Sequence, residues 1–223
     1  MKYIHRRSNR AKNISLTINS LLQVVITSPR YCPKTKIEQF INSQKSWIKQ
    51  RIKQLKSIRN NIETADHIKI FGQDYKKIKK YFTDKTIGIT IQDQQIIFNY
   101  LPQQLANSDF IKKEKILFLK KTSRHYLNNR IANLAKIMSL PYHSIKIRNQ
   151  KTRWGSCSNK NNINLNWRLV HYSTSIIDYV LIHELAHLKH HNHSKKFWKL
   201  VAQYDPNYKI HQKYLRKQAV TLL

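Results

Sequence analysis

The most informative segment of the chain is His183-Glu184-Leu185-Ala186-His187. Two histidines four positions apart project from the same face of a helix, so His183 and His187 can each offer a ring nitrogen to one Zn²⁺. Glu184 lies about 100° further round the helix, where it can reach a water molecule beside the metal rather than the metal itself. The alternative is that these are ordinary helix residues satisfied by hydrogen bonds, and the flanking sequence must decide between the two.

The flanking sequence favours a buried helix from about residue 175 to 190. Ser173-Thr174-Ser175 offers N-cap oxygens, and Asp178 follows three positions later as a capping-box-like acid. Apolar residues recur at helical spacing, namely Ile177, Leu181 and Leu188. This pattern places both histidines and the glutamate of the motif where their side chains can converge.

A catalytic zinc site usually takes three protein ligands and leaves the fourth position to water, so a third ligand is expected. No glutamate follows Glu184, and the candidates that remain are His190, His191, His193, Asp205 and His211. We favour His193, because its six-residue interval from His187 matches the interval in H-E-x-x-H-x-x-G-x-x-H proteases. Since His190 replaces the glycine of that pattern, we expect Asn192 to adopt the left-handed conformation that ends the helix and turns His193 back.

Further segments of the chain resemble a known family. The longest are Lys151-Thr152-Arg153-Trp154-Gly155-Ser156-Cys157-Ser158, Ile163-Asn164-Leu165-Asn166-Trp167-Arg168-Leu169, and Asn192-His193-Ser194 with Phe197-Trp198. Shorter ones are Arg6-Arg7-Ser8, Ile14-Ser15-Leu16, Phe71-Gly72 and Pro141-Tyr142. With the H-E-L-A-H segment they resemble the YgjP-like metallopeptidase family, which is related to SprT-like zinc proteases. The resemblance implies a cytoplasmic, zinc-dependent hydrolase with Glu184 as catalytic acid/base and three metal ligands, His183, His187 and His193.

The expected reaction is peptide-bond hydrolysis on a protein or peptide substrate. One Zn²⁺ per chain would lower the pKa of water toward about 7, while Glu184 moves the proton to the leaving amine. A developing oxyanion needs a further donor, and the candidates are Arg153, Tyr172, Tyr179 and Tyr208. Trp154 is a candidate for the wall of a substrate cleft, although large aromatic residues beside a buried helix more often belong to the core.

Two alternative functions fit parts of the sequence. One is a zinc hydrolase of a non-peptide amide, and the other is a basic nucleic-acid-binding protein with a non-catalytic metal site. Glu184 favours catalysis, because a structural zinc site prefers four protein ligands and has no need of an acid beside water. A substrate assay has to separate the peptidase from the amide hydrolase.

The chain is strongly basic, with a formal net charge of +31. Residues 1–60 carry fourteen Lys and Arg against Glu38 alone, and no acid occurs between Glu114 and Asp178. Such a charge favours contact with nucleic acid or another polyanion. The alternative is compositional drift, since thirty Lys accompany only twelve Arg and specific phosphate contacts favour Arg.

The cysteine content and the apolar segments of the chain indicate its cellular compartment. The two cysteines, Cys32 and Cys157, are far apart and lack C-x-x-C spacing, so neither a disulfide framework nor a cysteine zinc site is indicated. Residues 1–13 are basic and contain no apolar stretch of signal-peptide length, and no run approaches eighteen apolar residues. We therefore predict a cytoplasmic protein without a membrane partner.

The remaining patterns predict an α+β fold with a β-rich amino-terminal part over residues 1–108. Strands at 14–18 and 22–27 flank Asn19-Ser20 as a hairpin, and Pro33 opens one long helix through about residue 58. Four short strands are expected at 68–71, 76–82, 87–91 and 96–100.

Residues 109–223 are expected to form a zincin-like catalytic part. A β-hairpin of segments 145–149 and 162–170 precedes the active-site helix, and a helix at about 109–138 backs it. A helix over Lys195–Tyr204 follows, and Asp205-Pro206 begins a final one. The boundary near residue 108 is soft, because no Gly/Ser linker marks it and the two halves can share one core.

Overall fold

The computed structural model describes residues 2–19, 21–81 and 87–218 of the 223-residue chain. The chain folds as two compact units, Met1–Asn61 and Ile62–Val220. Helices alternate with three small sheets, so the predicted α+β class is confirmed. Within the described ranges, no helix has the length and apolar character that a membrane span requires.

The first unit contains a three-stranded sheet and two helices. The strands are β1 (Ile4–Ser8), β2 (Ser15–Ile18) and β3 (Val24–Pro29), with β3 in the centre. β3 runs parallel to β1 and antiparallel to β2, as the predicted hairpin requires. Ser20 of the predicted Asn19-Ser20 turn lies outside the described residues.

The helix predicted over residues 33–58 is in fact two helices. α1 (Lys34–Ser43) ends at Gln44, whose φ of −99° and ψ of 4° break the helical path, and α2 (Lys45–Ile62) follows at once. An apolar stripe continues across the break, because Ile37, Ile41 and Ile48 are all buried in one cluster with strand β3. Periodicity alone predicted a single helix, since both helices direct the same stripe toward the sheet.

The second unit begins with a four-stranded sheet, in the order β4-β5-β7-β6. Its strands are β4 (His67–Ile70), β5 (Gln73–Tyr81), β6 (Gly88–Gln92) and β7 (Gln95–Tyr100). All four agree with the predicted strands to within a few residues, and Phe82 of the second predicted strand lies outside the described residues. β5 and β7 are parallel, whereas the other two pairs are antiparallel.

A long helix and a second small sheet carry the chain to the metal motif. After the short α3 (Pro102–Ala106), α4 (Ser108–Met138) matches the predicted backing helix and ends at Ser139, whose φ is 53°. The sheet contains β8 (Ser144–Arg148), β9 (Gly155–Cys157) and β10 (Asn162–Asn166), with β10 in the centre.

The predicted hairpin of segments 145–149 and 162–170 is wrong. β10 pairs with β8 in parallel and with β9 antiparallel, so the hairpin is β9–β10. Residues Trp167–His171 form a 3₁₀ turn instead of continuing the strand. The error arose because the three-residue β9 is too short to give an alternating pattern, and the connection therefore looked like one loop.

Three helices complete the second unit: α5 (Thr174–Ala186), α6 (Lys195–Tyr204) and α7 (Tyr208–Lys217). α6 has the predicted bounds. The last helix begins at Tyr208 rather than at Asp205-Pro206, because Asp205 ends α6 and its carboxylate accepts hydrogen bonds from the Asn207 backbone and the His211 ring.

The main core of the second unit joins residues from both sides of the predicted boundary near residue 108. Ile68, Ile96 and Phe98 of the four-stranded sheet are buried in one cluster with Leu119 of α4 and Val170 of the 3₁₀ turn. Residue 108 therefore lies inside the second compact unit, between two helices that belong to the same body.

His171 fixes the 3₁₀ turn to strand β4. Its ring is 4% exposed, and Nδ1 lies 2.8 Å from the carbonyl oxygen of Lys69. Burial lowers the pKa of His171 from 6.5 to about 4. The imidazole is therefore neutral at pH 7 and donates from Nδ1 to the carbonyl.

Acidification should weaken folding through His171. Because its folded pKa lies below its unfolded value, the stabilising contribution is complete above pH 6.5 and is lost as the pH falls toward 4. We expect His171→Asn, which keeps a donor, to remove roughly 3 kcal/mol of the pH dependence of the unfolding free energy. Urea titrations of both proteins at pH 7.5, 5.5 and 4.5 measure the difference, and parallel curves would contradict the assignment.

Candidate metal centre

α5 is a buried helix that carries two polar groups of the motif into the interior. Its apolar side chains are almost fully buried, among them Ile177, Leu181 and Leu185. The start of the helix differs from the prediction, because the side chain of the N-cap residue Ser173 forms no capping hydrogen bond. Asp178 instead forms a two-point ion pair with Arg130 of α4, with both N–O distances at 2.7 Å. This pair links the backing helix to the active-site helix.

The chain turns sharply directly after α5. The helix ends at Ala186, four residues earlier than predicted, and His187 is its C-cap. The amide of His190 still donates to the carbonyl of Ala186, and Nδ1 of His187 bonds the His190 carbonyl at 3.1 Å. Asn192 is not among the residues with positive φ, so the predicted left-handed turn at that residue is wrong. The turn is held by these hydrogen bonds instead.

The turn brings three imidazoles together. One ring nitrogen from each of His183, His187 and His193 lies within 4.8 Å of the others, and Nε2 of His183 is 3.1 Å from Nε2 of His193. In the part of the chain that the structure describes, this is the one cluster of three or more metal-binding side chains. A divalent cation fits between nitrogens that face one another in this way.

The electrostatic state of the histidines suits a cation. Burial, together with the neighbouring histidines, lowers the pKa of His183 to about 3, and burial also lowers the pKa of His187. Metal binding requires neutral imidazole, so both rings are already in the binding form at pH 7. Because Nδ1 of His187 bonds a backbone carbonyl, its Nε2 carries the free lone pair, an arrangement that orients histidine ligands in metal sites.

Two aromatic residues of α6 surround the histidines. The Phe197 ring centroid lies 4.6 to 5.0 Å from all three imidazole centroids, and Trp198 stacks on His193 at 5.6 Å. Phe197 is fully buried, as large aromatic residues beside a buried helix commonly are. The packing limits rotation of the rings and holds their nitrogens in place.

Glu184 lies beside the histidine cluster with its carboxyl group buried. Its side chain is 6% exposed, and burial raises its pKa to about 8 while the charge of Arg153 opposes the rise. Gly155 of β9 packs against it so closely that a Cβ atom there would lie 2.6 Å from Oε1. A buried carboxylic group with a raised pKa is typical of a catalytic acid or base.

The other candidate residues separate into two groups. Trp154 and Tyr179 line a cavity of about 360 Å³ that also contains Glu184 and His183. Arg153 is close enough to lower the pKa of Glu184. Tyr172 is buried between Trp154 and Tyr214, and Tyr208 stacks on Trp198, so neither lines the cavity.

The alternative third ligands, His190, His191, Asp205 and His211, lie outside the cluster of His183, His187 and His193. His211 and Asp205 bond each other at 2.8 Å, and His190 contributes its backbone carbonyl to His187. Gly155 is the residue that sequence reasoning missed. The signal was present, because the chain has only three glycines and this one lies within the R-W-G-S-C-S segment.

A family model described as YgjP-like, metallopeptidase domain, matches residues 12–218. The chain belongs to the YgjP-like metallopeptidase family. This confirms the resemblance noted in the sequence, and it identifies the protein as a metal-dependent peptidase with a peptide substrate. The histidine cluster and Glu184 lie within the matched residues of this YgjP-like domain.

Two solved structures are similar to parts of this YgjP-like chain, and no curated protein matches it. One is the crystal structure of the metallopeptidase zymogen of Pyrococcus abyssi abylysin, with 25% identity, a TM-score of 0.37, and coverage of 40% of this chain and 90% of that one. The other is the metallopeptidase zymogen of Methanocaldococcus jannaschii jannalysin, with 23% identity, a TM-score of 0.36, and coverage of 41% and 95%.

The close contact between Gly155 and Glu184 gives a testable prediction. In Gly155→Ala the new methyl group must displace the carboxyl group, and a shift of about 1 Å in a catalytic group can lower the rate about 100-fold. We expect kcat/KM on an unfolded protein substrate to fall by that order while circular dichroism shows a folded chain. Asn159→Ala, in the exposed β9–β10 connection, is the control and should retain full activity. Undiminished cleavage by Gly155→Ala would contradict the role of this contact.

Proposed function

We propose that this protein is a zinc-dependent peptidase in which His183, His187 and His193 hold the metal. Three imidazole ligands suit Zn²⁺, and a three-ligand site leaves a coordination position for substrate and water. The observation that carries the proposal is the convergence of the three ring nitrogens within 4.8 Å beside a buried carboxyl group. Zinc bound at such a site supplies a Lewis acid that polarises a carbonyl and increases the acidity of water.

Glu184 acts as the general acid/base in this proposal. Its carboxylate accepts a proton from the attacking water and returns it to the amine that leaves. The buried position keeps the carboxyl group out of bulk water, and its position next to His183 in sequence sets its distance from the ligands. Tyr179 and Arg153 are the candidates for stabilising the oxyanion, since Tyr179 lines the cavity with Glu184 and Arg153 acts on its pKa.

The edge strand β9 supports a way of binding the substrate. It lies at one edge of its sheet as the described residues define it, and Gly155 brings that edge against Glu184. An extended peptide that pairs with this edge by strand addition presents its backbone carbonyls next to the acid/base. Because the contacts are to the backbone, this mode accepts many sequences and leaves selectivity to side-chain pockets.

Glu184→Gln is the direct test of the mechanism. Loss of general acid/base catalysis should lower kcat about 1000-fold, while the zinc content measured by mass spectrometry stays at one ion per chain because the glutamate is not a ligand. Glu114→Gln is the matched control, since Glu114 bonds the hydroxyl of Tyr100 away from the cavity. Equal cleavage by wild type and Glu184→Gln would show that the activity has another source.

A second candidate property is contact with nucleic acid, which the helix α2 favours. This helix carries six basic residues and no acid. Four exposed lysines, Lys45, Lys49, Lys53 and Lys56, follow one another at steps of four, four and three residues. These steps place them within about 80° on one side of the helix and along about 16 Å, which suits a row of phosphates.

The lysine row makes a prediction about salt dependence. Changing all four lysines to Gln should reduce the slope of log K against log salt for duplex DNA by roughly 3 to 4, as each lost phosphate contact removes about 0.9. Four exposed lysines spread round α4, Lys112, Lys113, Lys121 and Lys136, give a control with the same change in net charge. If both variants lose affinity equally, net charge rather than α2 is responsible, and the proposed row is rejected.

A further inference from the structure

The cavity beside Glu184 has an apolar wall and a basic rim. Trp154 and Val180 supply apolar surface from one side, and Leu215 of α7 closes the other. Gln212 and Arg216, three positions before and one position after this leucine, add polar groups from α7. A volume of about 360 Å³ accommodates one large side chain of a substrate.

The charged groups of this cavity differ in exposure. Glu184 is the single acidic residue in its described lining and is 6% exposed, whereas Arg216 is exposed to solvent. The guanidinium of Arg216 is near enough to the hydroxyl of Tyr179 to lower the pKa of that group, which burial raises to about 12. The carboxylate of Asp205 also acts on Tyr179, but its oxygens are already bonded by His211 and the Asn207 amide. A ligand entering from the exposed side of the cavity therefore meets the guanidinium of Arg216.

The position of Glu184 decides which substrate residue enters. In the proposed mechanism this carboxyl group gives its proton to the amine that leaves, so it lies next to the nitrogen of the cleaved bond. The side chain nearest to that nitrogen belongs to the residue that follows the cleaved bond. Since the cavity contains Glu184 and His183 but neither His187 nor His193, it opens on this side of the histidine cluster.

We propose that the cavity selects substrates with an acidic side chain immediately after the cleaved bond, and that Arg216 pairs with its carboxylate. This specificity rests on the peptidase mechanism proposed above. The apolar wall holds the methylene groups of the side chain, and the guanidinium meets the carboxylate at the rim. Arg216 is thus a specificity residue, and it is exposed enough to exchange water for a carboxylate at small cost.

The test uses two isomeric peptides of equal net charge and a third peptide with Lys. The first carries Glu directly after the cleaved bond and Gln three positions further on, the second has these two residues exchanged, and the third carries Lys after the bond. Wild type should prefer the first over the second about fivefold in kcat/KM, the size of one partly exposed ion pair. Arg216→Gln should abolish the preference, and Arg216→Glu should reverse it in favour of Lys.

A neighbouring residue of α7 gives the matched control. Lys217→Gln removes the same charge from an exposed position outside the cavity lining and should retain the fivefold preference. Circular dichroism establishes that each variant is folded. If Lys217→Gln loses the preference as Arg216→Gln does, general attraction to the basic surface explains it and the inference is overturned.

Binding separates this inference from the mechanism on which it rests. Fluorescence anisotropy of labelled peptides with the metal-free protein measures the preference without any cleavage. The inference expects tighter binding of the first isomer, lost in Arg216→Gln, even for a protein sample that cleaves nothing. Equal affinities for the isomers overturn the specificity, whereas absence of cleavage with a retained binding preference counts against the proposed mechanism alone.

Discussion

The burial of α5 determines the electrostatic state of the polar groups that the helix carries. A helix that is apolar on nearly every side carries His183 and Glu184 into the interior, where polar groups are unfavourable unless they are compensated. Burial favours the uncharged form of both groups, because it lowers the pKa of His183 and raises the pKa of Glu184. A divalent cation among the histidines reverses the balance for Glu184, because a nearby positive charge favours the carboxylate. In the proposed mechanism, metal binding would therefore also prepare Glu184 to accept a proton.

The position of α5 is set by two close backbone approaches. Gly72 has a φ of +80°, and a Cβ atom there would lie 2.8 Å from the Cα atom of Ser173 at the start of the helix. Gly155 makes the second approach, against Glu184 near the end of the helix. Two of the three glycines in the chain thus serve to bring other backbone segments against α5, which explains why an otherwise glycine-poor sequence has them at these points.

Some parts of the structure could be predicted because a local rule decided them. The spacing of His183 and His187 predicted a shared helix face, the six-residue interval predicted that His193 returns, and the helix predicted at about 109–138 agrees with α4 to within one residue at each end. Other parts depend on partners distant in sequence. Asp178 has the sequence position of a capping residue, but it pairs with Arg130, which is 48 positions away in the sequence. Strand β8 was predicted to form a hairpin with β10, but the short β9 forms that hairpin instead. The helix break at Gln44 was not predicted, because one apolar stripe runs through both helices and the periodicity is not interrupted there.

In the turn after α5, His193 makes the predicted contact with the other imidazoles, but the backbone conformation predicted to produce it is absent at Asn192. The histidine spacing predicted a left-handed residue at Asn192, because a glycine occupies the corresponding turn in the proteases with the same spacing. The helix instead ends earlier, and the His187 ring bonds the carbonyl of His190, so the side chain that faces the other imidazoles also fastens the loop that returns His193. The same hydrogen bond fixes the tautomer of His187. Loop closure and orientation of the imidazole are thus one interaction, and a glycine is not needed to achieve either.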